Sequence, residues 1–103
     1  MNNRTYTVKV TGTGAAITKY PGFTPRAVKV LNAEGLCTLE WNSAMADAAG
    51  YKILTGIDAS ADTVSKHSFI TSAGITPVVN GFTIGADTDI NVNGEDLYVT
   101  AWE

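Results

Sequence analysis

Apolar side chains recur at every second position in short runs along this chain, and Gly, Pro or Asn closes nearly every run. Successive side chains of an extended strand point to opposite faces, so such a rhythm buries one face and wets the other. Tyr6, Val8 and Val10 alternate with Thr5, Thr7 and Lys9 before T-G-T-G ends the run. A short strand over Ala16–Tyr20 stops at Pro21-Gly22. Arg26–Asn32 alternates again with Val28 and Val30 inward, Ala33-Glu34-Gly35 turns the chain, and Leu36–Trp41 returns with Cys37, Leu39 and Trp41 on one face. That pair predicts a hairpin.

The stretch N-S-A-M-A-D-A-A-G-Y-K from Asn42 is the one helix candidate. Asn42 or Ser43 could cap it and Ala44–Ala49 favour helix, but Gly50 ends it after a turn or two. A short helical turn in a connection is expected. Strands resume at Tyr51–Thr55, around Val64–Thr71, at Pro77–Asn80, at Phe82–Ile84 and at Asp96–Trp102. Short strands separated by turn signals predict an all-β fold: an antiparallel β-sandwich or barrel-like domain, single over residues 1–103, with at most one short helical turn.

Charge narrows the partners. The net charge is −3 and the seven Lys and Arg residues are scattered singly, whereas phosphate backbones need clustered cations, so nucleic acid is not expected as a partner. Cys37 is the one cysteine, which excludes an intrachain disulfide and fits assembly in a reducing cytoplasm. The start M-N-N-R-T-Y-T-V-K-V has no apolar run behind a basic opening, so no secretory leader and no membrane span are expected.

The segment Asp87–Asp96, D-T-D-I-N-V-N-G-E-D, supports two readings. Asp89, Asn91, Asn93 and Gly94 match the first ligands and the glycine of a calcium loop. The closing bidentate Glu is missing, because Thr100 stands there, and Leu97 occupies the ninth position. Alternatively, Ile90 and Val92 alternate with the polar residues as in a strand, and Asn93-Gly94 turns it into a returning strand. There Leu97, Val99 and Ala101 would face one way and Tyr98, Thr100 and Trp102 the other. The hairpin explains every residue and is preferred, so no metal ligand is assigned.

Other constellations are weaker. Gly12-Thr13-Gly14 with Glu34 resembles the opening of a dinucleotide fingerprint, but Ile17 stands where the third small residue belongs and Pro21-Gly22 forestalls a helix. His67 is the one histidine, so a zinc site would lean on Cys37 and carboxylates. A Ser-His-Asp device could draw on His67 with Ser65 or Ser68, without a nucleophile-elbow motif. Trp41, Trp102, Tyr51 and Tyr98 could stack on sugar rings, and strand aromatics more often pair across strands or fill a core. Catalytic residues: none; cofactor-binding residues: none. An enzyme is not expected.

Two segments carry a resemblance. Gly22-Phe23-Thr24-Pro25-Arg26-Ala27-Val28-Lys29-Val30-Leu31-Asn32 is similar to the G-F-x-P-x-x-V-x-V-x-N pattern that opens a strand in small β-modules of tailed-bacteriophage virion proteins. Gly81-Phe82-Thr83-Ile84-Gly85, followed by Asn91, Gly94, Tyr98 and Ala101-Trp102, resembles the closing strands of the same modules. The resemblance implies a virion structural protein with Phe23 and Phe82 as core anchors and tight backbone turns at Gly22, Gly81 and Gly94. Such modules occur in head decoration proteins, head fibres and tail or baseplate components, and the resemblance does not separate these. The first expectation is a capsid (head) decoration protein that cements the shell, with a tail, baseplate or fibre component as the alternative and, from the strand aromatics, a carbohydrate-binding module as a further one. The partners expected are the major capsid protein or other virion subunits and further copies of the chain, a homo-oligomer for which a trimer suits quasi-threefold positions. The expected location is the virion, assembled in the host cytoplasm. The amino-terminal M-N-N-R and the loop Asp58–Asp62 are expected docking elements.

Overall fold

The computed structural model describes residues 4–57 and 59–103. Eight strands run in chain order: β1 (Thr5–Thr11), β2 (Ile17–Lys19), β3 (Ala27–Asn32), β4 (Cys37–Asn42), β5 (Ala49–Ile57), β6 (Thr63–Val78), β7 (Gly81–Ile84) and β8 (Asp96–Trp102). They form one antiparallel sheet in the order β1-β8-β3-β4-β5-β6-β7-β2, curled into a half-barrel. Of the two all-β architectures left open by the pattern, the chain builds the barrel-like one.

The alternation read from the sequence lines the concave side. Val8, Val99, Val30 and Leu39 stand opposite one another across β1, β8, β3 and β4, an apolar row of the kind that stabilises a sheet through cross-strand pairs. Val28, Cys37, Trp41, Leu97 and Ala101 are buried on the same side. From the other end of the strand order, Ile75, Phe82 and Ile84 join this core. The Tyr6 ring meets Phe82 edge-on, with centroids 6.3 Å apart and planes at 70°, so a strand at one end of the sheet touches the strand next to the other end. Phe23 is buried too. Both aromatic anchors sit where the resemblance puts them.

Four local expectations change. First, residues 42–48 form two successive turns and no helix. Met45 N–H donates to the Asn42 carbonyl at 2.9 Å and Ala49 N–H to the Ala46 carbonyl at 3.2 Å. Asn42 does cap, its Oδ1 accepting the Ala44 N–H at 3.0 Å, but the Trp41 indole takes the Ala46 carbonyl at 3.1 Å and Ala48 turns left-handed (φ 65°). Second, the strand expected at Val64–Thr71 runs on without a break to Val78 as β6, and of the strand expected at Pro77–Asn80 only Pro77 and Val78 belong to it, Val79 and Asn80 forming the following turn. The pairing of β6 with β5 jumps from Gly50↔Ile70 to Ala49↔Ile75. Ala73 is left-handed there (φ 62°), and the strand bends from an outlying hairpin into the half-barrel wall.

Third, the Asp87–Asp96 hairpin is half present. Asp96 begins β8, but residues 87–95 form no strand, and Ile90 and Asn91 are both buried instead of alternating. The turn itself stands: Glu95 N–H donates to the Val92 carbonyl at 3.1 Å around Gly94, whose φ of 85° favours glycine. Gly81 differs from expectation as well. The left-handed residue of the β6–β7 turn is Asn80 (φ 61°), and Gly81 is required because a Cβ there would lie 2.2 Å from the Lys19 carbonyl oxygen of β2. A Gly81→Ala chain should therefore lose about 1–3 kcal/mol from overpacking against backbone. The check is a lower urea midpoint with an unchanged slope.

Candidate functional site

The connection from β7 to β8 crosses the open end of the half-barrel without a strand partner, and buried side chains supply its hydrogen bonds. Asn91 Oδ1 accepts the N–H groups of Thr13 and Gly14 at 3.0 and 3.3 Å, while its Nδ2 donates to the carbonyls of Ala15 and Gly85 at 2.6 and 3.0 Å. Asn32 Nδ2 donates to the Ile90 carbonyl at 3.0 Å and to Glu95 Oε1 at 2.8 Å, and its Oδ1 accepts from Gly35 N–H at 2.9 Å. Asp87 Oδ1 accepts the N–H groups of Asp89 and Ile90 at 2.9 and 3.1 Å.

Across the sheet, Lys52 of β5 reaches the same loop. Its Nζ lies 3.0 Å from Asp87 Oδ2 and 2.7 Å from Asp89 Oδ2. Burial works against the charged amine, yet the hydrogen bonds and charges of Asp89 and Asp87 outweigh it and hold the Lys52 pKa above its ordinary value. Cys37, fully buried beside this group, is pushed up to about 11, chiefly by desolvation.

These contacts dispose of the residues proposed from motifs. The calcium-loop side chains diverge: Asp89 serves Lys52, and Asn91 serves the 13–15 loop. Among the described residues no three His, Cys, Asp or Glu side chains converge on a point. The N–H groups of Thr13 and Gly14, read as the start of a phosphate cradle, hold the Asn91 amide instead. His67 is exposed on β6 with its Nδ1 hydrogen-bonded to the Tyr51 hydroxyl, and Ser65 pairs with Thr55 at 3.1 Å. The aromatics divide between faces. Trp41 is 3% exposed and belongs to the core, whereas Trp102 is 41% exposed on the convex side. There a groove of about 350 Å³ is lined by Trp102, Tyr51, Lys29, Glu40 and Asn42 among others.

The second candidate is a projecting arm. β4 pairs with β5 only from Cys37↔Leu54 to Glu40↔Tyr51. Beyond it, Thr55–Ile57 and Thr63–Ser65 pair with each other, and the molecule reaches 50 Å along an axis against 28 and 22 Å across. β7 covers β6 only at Ile75–Val78, so among the described residues no strand lies against the outer edge of Thr63–Ile70. Ile57 on this arm is 69% exposed, and Phe69, opposite Tyr51 on the open edge of β6, is 58% exposed.

The expected docking elements fall partly outside these findings: residues 1–3 and Asp58 lie outside the described residues. Arg4 is occupied. Its guanidinium grips Glu103 at 2.7 and 3.1 Å and sits 5.2 Å from the Phe23 ring centroid, joining the two ends of the described chain. Sequence reasoning missed Lys52. The available signal was a lysine between Gly50 and Leu54 on the inward side of an alternating strand.

No family model matches the chain, and neither the curated proteins nor the solved structures include a significant match to it.

Three outcomes test this geometry. Asn91→Ala strips four backbone groups of their partners and should destabilise the fold by about 3 kcal/mol or more, measured by chemical denaturation. Cys37 should resist alkylation in the folded chain at pH 8 and react fully once unfolded, because the reactive thiolate forms only near its raised pKa. A thiol pKa raised on folding adds stability below the unfolded value, so stability should fall as pH climbs from about 9 through about 11.

Proposed function

We propose that this chain is a structural, contact-making protein of a tailed-bacteriophage virion, and in the first place a capsid decoration protein that cements the shell. The observation that carries the reading is the β5–β6 arm. An isolated two-stranded ribbon is marginal in water, and an open strand edge invites pairing with another chain. Here the end of the ribbon stands clear of β4 with Ile57 exposed, Phe69 is exposed on the open edge of β6, and Lys66 is the one Lys, Arg, Asp or Glu between Thr63 and Val78. Such an arm gains most of its order from what it touches.

The motif residues support the same reading. Phe82 lies in the core and Phe23 is buried, Gly22 and Gly94 have the left-handed backbone that favours glycine, and Gly81 leaves no room for a Cβ against Lys19. None of them is a chemical group, so the resemblance concerns architecture. The mechanism is mechanical: many weak contacts, repeated by symmetry, bridge neighbouring capsid subunits. Binding to the assembled lattice in preference to free subunits stabilises the lattice by mass action. A homo-oligomer, with a trimer suited to quasi-threefold positions, multiplies each contact. The partners are the major capsid protein or other virion subunits, and neither nucleic acid nor membrane is invoked.

Exposure of Trp102 in the convex groove favours a second reading, a carbohydrate-binding module on the virion surface. Co-sedimentation with mature and immature capsid shells separates the two. The decoration reading expects saturable binding to mature shells. It also expects that binding to be lost in an Ile57→Asp, Phe69→Asp chain whose stability stays within about 0.5 kcal/mol of the parent, as exposed positions allow. Tail labelling in cryo-electron microscopy would move the protein to the other end of the particle. Glycan binding abolished by Trp102→Ala would favour the second reading.

A further inference from the structure

Lys52 stands opposite Leu39 in the sheet, on the concave side, with 13% of its side chain exposed. Its nitrogen lies 3.0 and 3.3 Å from the two oxygens of Asp87, held in hydrogen-bonding contact with the carboxyl group whose carbon it would attack. Asp87 Oδ1 already receives two backbone N–H groups, from Asp89 and Ile90. That is the arrangement that stabilises negative charge on a carbonyl oxygen as a nucleophile adds. A second carboxylate, Asp89, is hydrogen-bonded to the same nitrogen at 2.7 Å, where a base activating an amine belongs. Nucleophile, electrophile, oxyanion donors and proton carrier thus meet at one point. Asp87 and Ile90 are buried beside it, so water is scarce.

We propose that Lys52 and Asp87 condense spontaneously into an intramolecular isopeptide bond, with Asp89 carrying the protons. Asp89 takes one proton from the Lys52 ammonium and passes it to Asp87 Oδ2. The amine swings out of the carboxylate plane and attacks Cγ, forming the C–N bond and placing charge on Oδ1 against the N–H groups of Asp89 and Ile90. Asp89 takes a second proton from the nitrogen and delivers it to the Oδ2 hydroxyl, the C–Oδ2 bond breaks, and water leaves. One ammonium and one carboxylate become one amide and one water. Asp89 ends as it began, and no oxidant, metal or co-reactant enters. The bond would staple β5 to the crossing loop, two segments 35 residues apart in the chain.

The test is the intact mass of the full chain, denatured after incubation at neutral pH, with tryptic mapping. The expected mass is the sequence mass less one water, with no cleavage after Lys52 and a branched peptide joining Lys52 to Asp87. Lys52→Arg should keep its full mass. Asp89→Ala, confirmed folded by circular dichroism, should form the bond far more slowly or not at all. A wild-type chain that keeps its full mass after prolonged warm incubation overturns the proposal. So does a lost water without the branched peptide. Bond formation in Asp89→Ala at the wild-type rate overturns the part given to Asp89. The wild-type mass decides even where a variant fails to fold.

Discussion

The buried Asn91 amide is the interaction on which the closed end of this fold depends. β7 lies next to one edge of the sheet and β8 next to the other, so the chain between them must cross the mouth of the half-barrel as irregular backbone. Irregular backbone in a buried place has donors and acceptors without a ladder to satisfy them. Asn91 presents one acceptor and two donors to four backbone groups drawn from the 13–15 loop and from Gly85, and so ties the β1–β2 connection to the β7–β8 connection. Aspartate or leucine could fill similar space, but neither offers both donors and acceptors, and each would leave partners unmatched.

Asn32 and Asp87 extend the same solution along the loop, and Lys52 balances the carboxylates that result. The order of events matters energetically. An inward lysine is expensive to bury alone, and two inward aspartates would repel each other; together they leave no buried side-chain polar atom unpaired among the described residues. The apolar rows of β1, β8, β3 and β4 supply the driving force for collapse. The polar pins choose which collapsed arrangement is adopted, because only one crossing path satisfies them all.

Strands with one buried face were legible in the sequence, since β1, β3, β4 and β8 obey the alternation residue by residue. What escaped has common physical causes. The bend in β6 and the turns at 42–48 rest on left-handed Ala73 and Ala48, and alanine gives no local sign of that conformation, which tertiary contacts impose. The crossing loop was misread because Ile90 and Val92 have the spacing of a strand, while the burial of Asn91 depends on a loop that is distant in sequence. Nothing singled out Lys52, because a lysine in a strand usually faces solvent. The arm was invisible for a different reason: alternation reports that a strand exists, and says nothing of how far its neighbour extends.

The same division explains why the contact surface and the core can be separate devices. The pinned end fixes the half-barrel without using the end of the β5–β6 arm, where Thr55–Ile57 pair with Thr63–Ser65. A part that must fit a lattice needs a rigid body to carry load and a projecting edge to make contact. If both tasks fell on the same residues, optimising one interface would destabilise the fold. In this chain, exposed Ile57 takes no part in the Asn91–Asn32–Asp87 hydrogen bonds. The arm can therefore be shaped by its partner while the body is shaped by its own hydrogen bonds. If Lys52 and Asp87 join covalently, the body gains resistance to pulling at the very strand that continues into the arm.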